Sequence, residues 1–225
     1  MNESPTVVVR RPTESILATN KVLKNTYLLL SMTLVFSSIM SFVAVATNAS
    51  FMSAMMCNVI AIVLIWFVIP KYKSSAAALP LTFIFVGLLG YGLGPLLSYY
   101  LVTFSNGAEL VGTALGGTGV IFLSLSGYVL TTKKDFSYMG GFLFVGLIVG
   151  IIAMIANIFL QIPALSLAIS SVMVLVMSGF ILYDTSRIIN GGEKNYVMAT
   201  ISLYLNIIIL FQHLLHLVTA FTGRD

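Results

Sequence analysis

Seven apolar runs, each long enough to cross a bilayer and joined by short polar connections, leave this chain few folds to choose from. They cover 27–46, 51–69, 79–102, 110–130, 140–160, 164–189 and 197–221. A spanning helix needs about 20 mostly apolar residues, and connections such as 47–50 and 161–163 have no room for a soluble domain. The fold class read from this is an all-α membrane protein, a single bundle of seven transmembrane helices. Only 8% of the residues are charged and 59% are hydrophobic, whereas a soluble domain carries about 25% charge. Residues 1–24 are more polar, with Pro5, Pro12 and mixed charges. They are expected to form a flexible cytoplasmic tail, open to a partner, in front of a transmembrane domain over 25–225. The single cysteine, Cys57, excludes an intrachain disulfide.

The basic residues orient the bundle. Arg10, Arg11, Lys21 and Lys24 precede the first span; Lys71 and Lys73 follow the second. Lys133 and Lys134 follow the fourth, and Arg187 and Lys194 the sixth. With seven spans all of these fall on one side, and Arg224 alone falls on the other. Lysine and arginine are retained on the cytoplasmic side, so the N-terminus is expected inside and the C-terminus outside.

Small residues mark where helices can approach in lipid. Gly90 and Gly94, Gly112 and Gly116, and Gly146 and Gly150 are spaced four apart. They are read as packing positions, with a pore-lining or hinge role as the alternative. Pro95 cannot donate to the helical ladder and should kink the third span.

Polar chemistry is concentrated near the C-terminal end. Asp184 lies in the sixth span; Ser202, Asn206 and His213 fall on one stripe of the seventh, with His216 a turn further on. Ionisable groups at membrane depth are functional candidates. Asn190-Gly191-Gly192 should stop the sixth helix, and Asn195 should cap the seventh. Counted from those ends at about 1.5 Å per residue, Asp184 lies about 9 Å deep and Asn206 about 16 Å deep. Asp184 has two readings. It could pair with Arg187 at i+3 on a protruding helix end. Alternatively it is a titrating gate or cation site in the bundle mouth, with Lys71 or Lys73 as partner. His213 is the next candidate for a pH-sensing group, because imidazole titrates near neutral pH.

Several activities are excluded. Tyr183-Asp184 resembles half of an intramembrane aspartyl protease pattern, but Gly92-Leu93-Gly94-Pro95 lacks the second acid, and that chemistry needs two carboxylates. No Gly-x-Ser marks a serine protease, and no lysine lies inside the seventh span to hold retinal. His213 and His216 lack a third ligand for a metal. No cofactor fingerprint is present, and nothing suggests nucleic-acid binding. The chain is read as a non-enzyme whose surroundings are the lipid bilayer.

Six stretches together resemble one family. They are Asn20-Lys21-Val22-Leu23-Lys24-Asn25-Thr26-Tyr27, Gly90-Tyr91-Gly92-Leu93-Gly94-Pro95, Ala114-Leu115-Gly116-Gly117-Thr118, Tyr128-Val129-Leu130-Thr131-Thr132-Lys133-Lys134-Asp135, Ala156-Asn157-Ile158-Phe159-Leu160-Gln161, and Gly191-Gly192-Glu193-Lys194-Asn195-Tyr196 with Ser202-Leu203-Tyr204. In this order they resemble the Bax inhibitor family, and within it the bacterial YccA-like branch. The resemblance implies a multi-pass protein of the bacterial inner membrane, with the seventh helix central. It implies two functions from different branches. One is restraint of FtsH, a membrane-anchored ATP-dependent protease. The other is a pH-sensitive calcium leak governed by two interior aspartates. Asp184 matches the first aspartate, but Asn206 stands where the second is expected. The departure favours the protease modulator.

Overall fold

The chain folds, in a computed structural model describing residues 13–223 with side chains from residue 19, into helices alone among the described residues. Seven of them are long and apolar enough to cross a membrane. Helix α1 runs Thr13–Ala46, α2 over Phe51–Tyr72 and α3 over Ala78–Thr103. Helix α4 runs Gly107–Thr132 and α5 Gly140–Leu160. Helix α6 runs Pro163–Ile189 and α7 Tyr196–Thr222.

Helix α1 starts at Thr13, not at the expected residue 27. After Pro12 neither glycine nor proline occurs until the helix ends, so nothing breaks the ladder. The expected tail is therefore helix over 13–24; its remainder, 1–12, lies outside the described residues. Two prolines reshape the bundle. Pro70 lacks the N–H that the helix before it would use. There α2 widens into a π-helical turn over Leu64–Val68, in which the Ile69 N–H reaches back to the Leu64 carbonyl. Pro95 interrupts α3 as expected: helical segments Ala78–Gly92 and Gly94–Thr103 meet at Leu93.

The ends of α6 and α7 also form as their sequences suggest. Gly191 adopts the left-handed φ of 74°, and the Gly192 N–H closes back on the Arg187 carbonyl at 2.8 Å. The Asn195 Oδ1 accepts from the N–H groups of Val197 and Met198 at 3.0 and 3.1 Å. Its Nδ2 donates to the Lys73 carbonyl at 2.7 Å, tying two loops at the basic end together.

Helix α7 is the hub. Its most apolar stretch is 44% buried, the highest value among the spans, against 11% for α5. It packs on α1, α4 and α6 and, over a shorter length, on α3. Tyr204, Leu203 and Leu210 of α7 are fully buried with Met173, Met177 and Ile181 of α6 and Phe85 of α3. Helix α5 leans on α6 alone among the spans.

The glycines divide. A Cβ on Gly90 would lie 2.9 Å from the Cα of Ser37 on α1, and one on Gly94 would collide with Ala44. Gly146 and Gly150 meet Val176 and Met173 of α6. Gly112 and Gly116 meet nothing within 4 Å. Their expected packing role is corrected: they sit on an exposed face of α4, which turns Leu110, Ala114 and Thr118 inward instead.

For the orientation we propose, from the placement of the basic residues, that the N-terminus is cytoplasmic; Arg10, Arg11 and Arg224 lie outside the described residues. A reporter active only outside the cytoplasm should be active when fused after Phe221 and silent after Lys73 or Lys134. The opposite pattern at any of the three overturns the orientation.

Candidate functional site

Asp184 and Asn206 meet. The Asn206 Nδ2 donates to Asp184 Oδ2 at 2.7 Å, bringing together residues that counting along each helix places at different depths. Asn206 is buried at 7% exposure and Asp184 is part-buried. A carboxylate inside a bundle needs a donor, and the carboxamide supplies one without adding charge. Neither partner expected from the sequence fills this role. The guanidinium of Arg187 turns to Glu193 at 3.8 Å and lies over the Tyr183 ring, 5.5 Å from its centroid. Its i+3 position sets it one turn further out, where the Glu193 turn folds back to meet it. Lys71 is exposed on α2, whose long contacts are with α3. No ion pair among the described residues joins it to Asp184. Among the described residues none of the expected partners, Arg187, Lys71 or Lys73, forms an ion pair with Asp184.

Hydroxyl groups that the sequence reading did not single out surround this contact. Thr185, next to Asp184, is 3.3 Å from the Ser126 hydroxyl of α4, which is also hydrogen-bonded to the Tyr27 hydroxyl of α1. Deeper in the bundle, the Tyr204 hydroxyl bonds Ser37 of α1 at 2.6 Å and the Val86 carbonyl of α3 at 3.2 Å. Each knot joins helices distant in sequence, and only the neighbourhood of Thr185 to Asp184 could have pointed to one of them.

The α4–α5 loop is pinned below the same site. The Ser186 hydroxyl accepts from the Phe136 N–H at 2.8 Å and donates to Asp135 Oδ1 at 3.3 Å. Asp135 also accepts from the Ser137 N–H at 2.8 Å. Hydrogen bonds from Ser137, side chain and backbone, then from Ser186, hold the Asp135 carboxyl below its ordinary value of 3.8. A depressed carboxyl stabilises the fold above its unfolded value, and that contribution is lost as pH falls through its folded value. Hydrogen exchange of the Phe136 and Ser137 amides should therefore accelerate, relative to the intrinsic rate, once the medium is more acidic than the carboxylate range. Asp135→Ala should show that faster exchange already at neutral pH.

His213 belongs elsewhere. It lies seven residues beyond Asn206 on α7, toward the opposite end of the bundle. There its Nδ1 is 3.1 Å from the Ser170 hydroxyl. It takes no part in the Asp184 contact. Among the described residues no group of three or more metal-ligating acids, histidines or cysteines occurs.

The arrangement at Asp184 is that of a single carboxylate locked to a neutral donor: it can hold α6 against α7 and respond to a proton, and it offers no second acid. Comparison with known proteins places most of the chain. It is 50% identical over 212 residues to an uncharacterized membrane protein of Vibrio cholerae, covering 94% of this chain and 95% of that one. It is 44% identical over 213 residues, 94% of each chain, to an Escherichia coli K12 protein named modulator of FtsH protease YccA. The same identity and coverage hold for the inner membrane protein YccA of an E. coli O6:H1 strain. The sequence model of the family described as inhibitor of apoptosis-promoting Bax1 matches residues 19–223. With nearly the whole bundle matched, the chain belongs to the Bax inhibitor family of membrane proteins.

Proposed function

We propose that this protein resides in the bacterial inner membrane and restrains the membrane-anchored protease FtsH, as a non-enzymatic modulator. The observation that carries the reading is the 44% identity, across 94% of both chains, to a protein named modulator of FtsH protease. The Asp184–Asn206 contact agrees with it. A carboxylate bonded to a carboxamide serves as a structural lock, whereas a proton-sharing gate needs two acids at one site.

A second reading, a pH-responsive calcium leak, is favoured by the presence of any carboxylate inside the bundle. Two experiments separate them. Affinity isolation of the full chain from native membranes in mild detergent should bring down FtsH, and cells lacking this protein should degrade FtsH substrates faster. Recovery without FtsH, and unchanged substrate lifetimes, would remove the modulator reading. In liposomes the unaltered protein should pass no calcium at any pH, whereas Asn206→Asp sets a second carboxylate against the first. A pH-dependent flux through the unaltered protein that disappears in Asp184→Asn would favour the leak instead.

A further inference from the structure

The end of the bundle opposite the basic loops holds a polar cavity of about 560 Å³. It is lined by residues of α2, α3, α5, α6 and α7. Its lining is unusual for a place where apolar helices face lipid. Asn58 of α2 and Gln212 of α7 point carboxamides into it that make no hydrogen bond to the described protein. On α5, the Asn157 Oδ1 accepts from the Ile162 N–H at 3.1 Å, leaving its Nδ2 free of any protein acceptor. Unpaired amides in hydrocarbon cost several kcal/mol each, roughly, so the cavity must contain water or a polar ligand.

The two histidines supply the rest. One hydroxyl, Ser170, lies 3.1 Å from His213 Nδ1 and 2.8 Å from His216 Nδ1. A serine hydroxyl has one proton, so it donates to one Nδ1 and accepts N–H from the other. The first imidazole then carries its proton on Nε2, and the second has an Nε2 without one; on the His216 side that nitrogen lies 3.4 Å from the Ser166 hydroxyl, which can donate to it or accept from it. One added proton fits that bare nitrogen and leaves both bonds to Ser170 unchanged. It also turns the unit into a cation with an N–H at each Nε2. Among the described residues lining the cavity, Tyr100 of α3 is the remaining titratable group. The residues contributed by α2, α5 and α6 are amide, hydroxyl or apolar, and no carboxylate is there to balance the new charge.

We propose that this cavity is a proton-linked anion site. The anionic group is a phosphate or carboxylate, held by the carboxamide N–H groups of Asn58 and Gln212 and by the imidazole N–H groups, with one proton taken up on the His213–Ser170–His216 unit. A free anion and a lipid headgroup share this chemistry.

The full chain in lipid nanodiscs distinguishes them by thermal unfolding, because a ligand that binds only the folded state raises its stability. One set of discs contains zwitterionic lipid, with and without inorganic phosphate at constant ionic strength. The other contains phosphatidylglycerol and no phosphate. Each is measured at about pH 5 and about pH 8, on either side of the ordinary imidazole range. Binding should be about tenfold or more tighter at the lower pH, since one linked proton changes affinity by up to about tenfold per pH unit. A response to phosphate identifies a free anion, and a response to phosphatidylglycerol alone identifies a headgroup; either supports the site. The His213→Gln/His216→Gln variant should lose the pH dependence. If that variant does not fold, Gln212→Leu should weaken anion binding at the lower pH and leave the bare protein's stability nearly unchanged. No response to either anion at either pH overturns the site. So does a response that survives in the histidine variant or, where that fails to fold, in Gln212→Leu, because the anion then sits elsewhere.

Discussion

Alanine at Gly90 is expected to destabilise the bundle by about 2–3 kcal/mol, while alanine at Gly112 leaves it unchanged or raises its stability by up to about 1 kcal/mol. At Gly90 the new methyl lies 2.9 Å from the Cα of Ser37 and collides with its carbonyl oxygen. Backbone cannot rotate away as a side chain does, so α1 and α3 must separate. That separation also strains the bond between Ser37 and the Tyr204 hydroxyl, 2.6 Å long and buried at the bundle centre. At Gly112 the methyl meets nothing within 4 Å, and the gain in helix propensity stands alone. Unfolding of the purified chain in mixed micelles by increasing detergent denaturant measures both. Equal effects at the two glycines would mean that α1 and α3 are not in close contact.

Asn206→Leu has the next largest expected effect, a loss of about 1.5–3 kcal/mol, the range for a hydrogen bond to a charged group. The leucine fills the space but removes the donor 2.7 Å from Asp184, leaving a carboxylate inside the bundle with no partner of equal quality. Because Asp184 is part-buried, water replaces some of the lost bond and the loss falls toward the lower end of that range. The partner change Asp184→Leu removes the need for a donor. The double variant should therefore recover much of the loss, since replacing both members of a buried polar pair by apolar groups is close to neutral. The same micelle unfolding, run as a double-mutant cycle, gives the coupling. A double variant as weak as the sum of the singles would show that the two side chains act independently.

These residues also show what could be read in advance. Features that a helix makes by itself were legible: the apolar runs, the break at Pro95, the stop after Ile189 and the cap at Asn195 all follow from backbone donors and acceptors within a few residues. Glycine spacing was legible only as a possibility. The same four-residue interval occurs at Gly90 and Gly94, pressed against α1, and at Gly112 and Gly116, where an added Cβ would meet no described residue of another helix within 4 Å. Rotation of a helix about its own axis depends on its neighbours, and spacing does not encode it. The resemblance set Asn206 at the position paired with Asp184, as the structure has it, whereas counting along each helix put the two at different depths. Arg187 is near in sequence, but Asn206 reaches across from another helix, and the Glu193 turn occupies Arg187. The hydroxyl knots at Ser126 and Tyr204 were hidden because serine and tyrosine occur throughout such helices, and only the three-dimensional packing selects the ones that matter.

The position of α7 at the hub has a consequence for how the protein is made. It is the seventh of these spans in chain order, so five or six helices enter the membrane before the one that joins them exists. Until then the Ser37 hydroxyl lacks the Tyr204 hydroxyl, and the Thr26 and Val86 carbonyls, already within their own helices, lack the second, interhelical bonds that Thr200 and Tyr204 later supply. A nascent chain that stops before about residue 200 therefore carries complete spans and an unfinished interior.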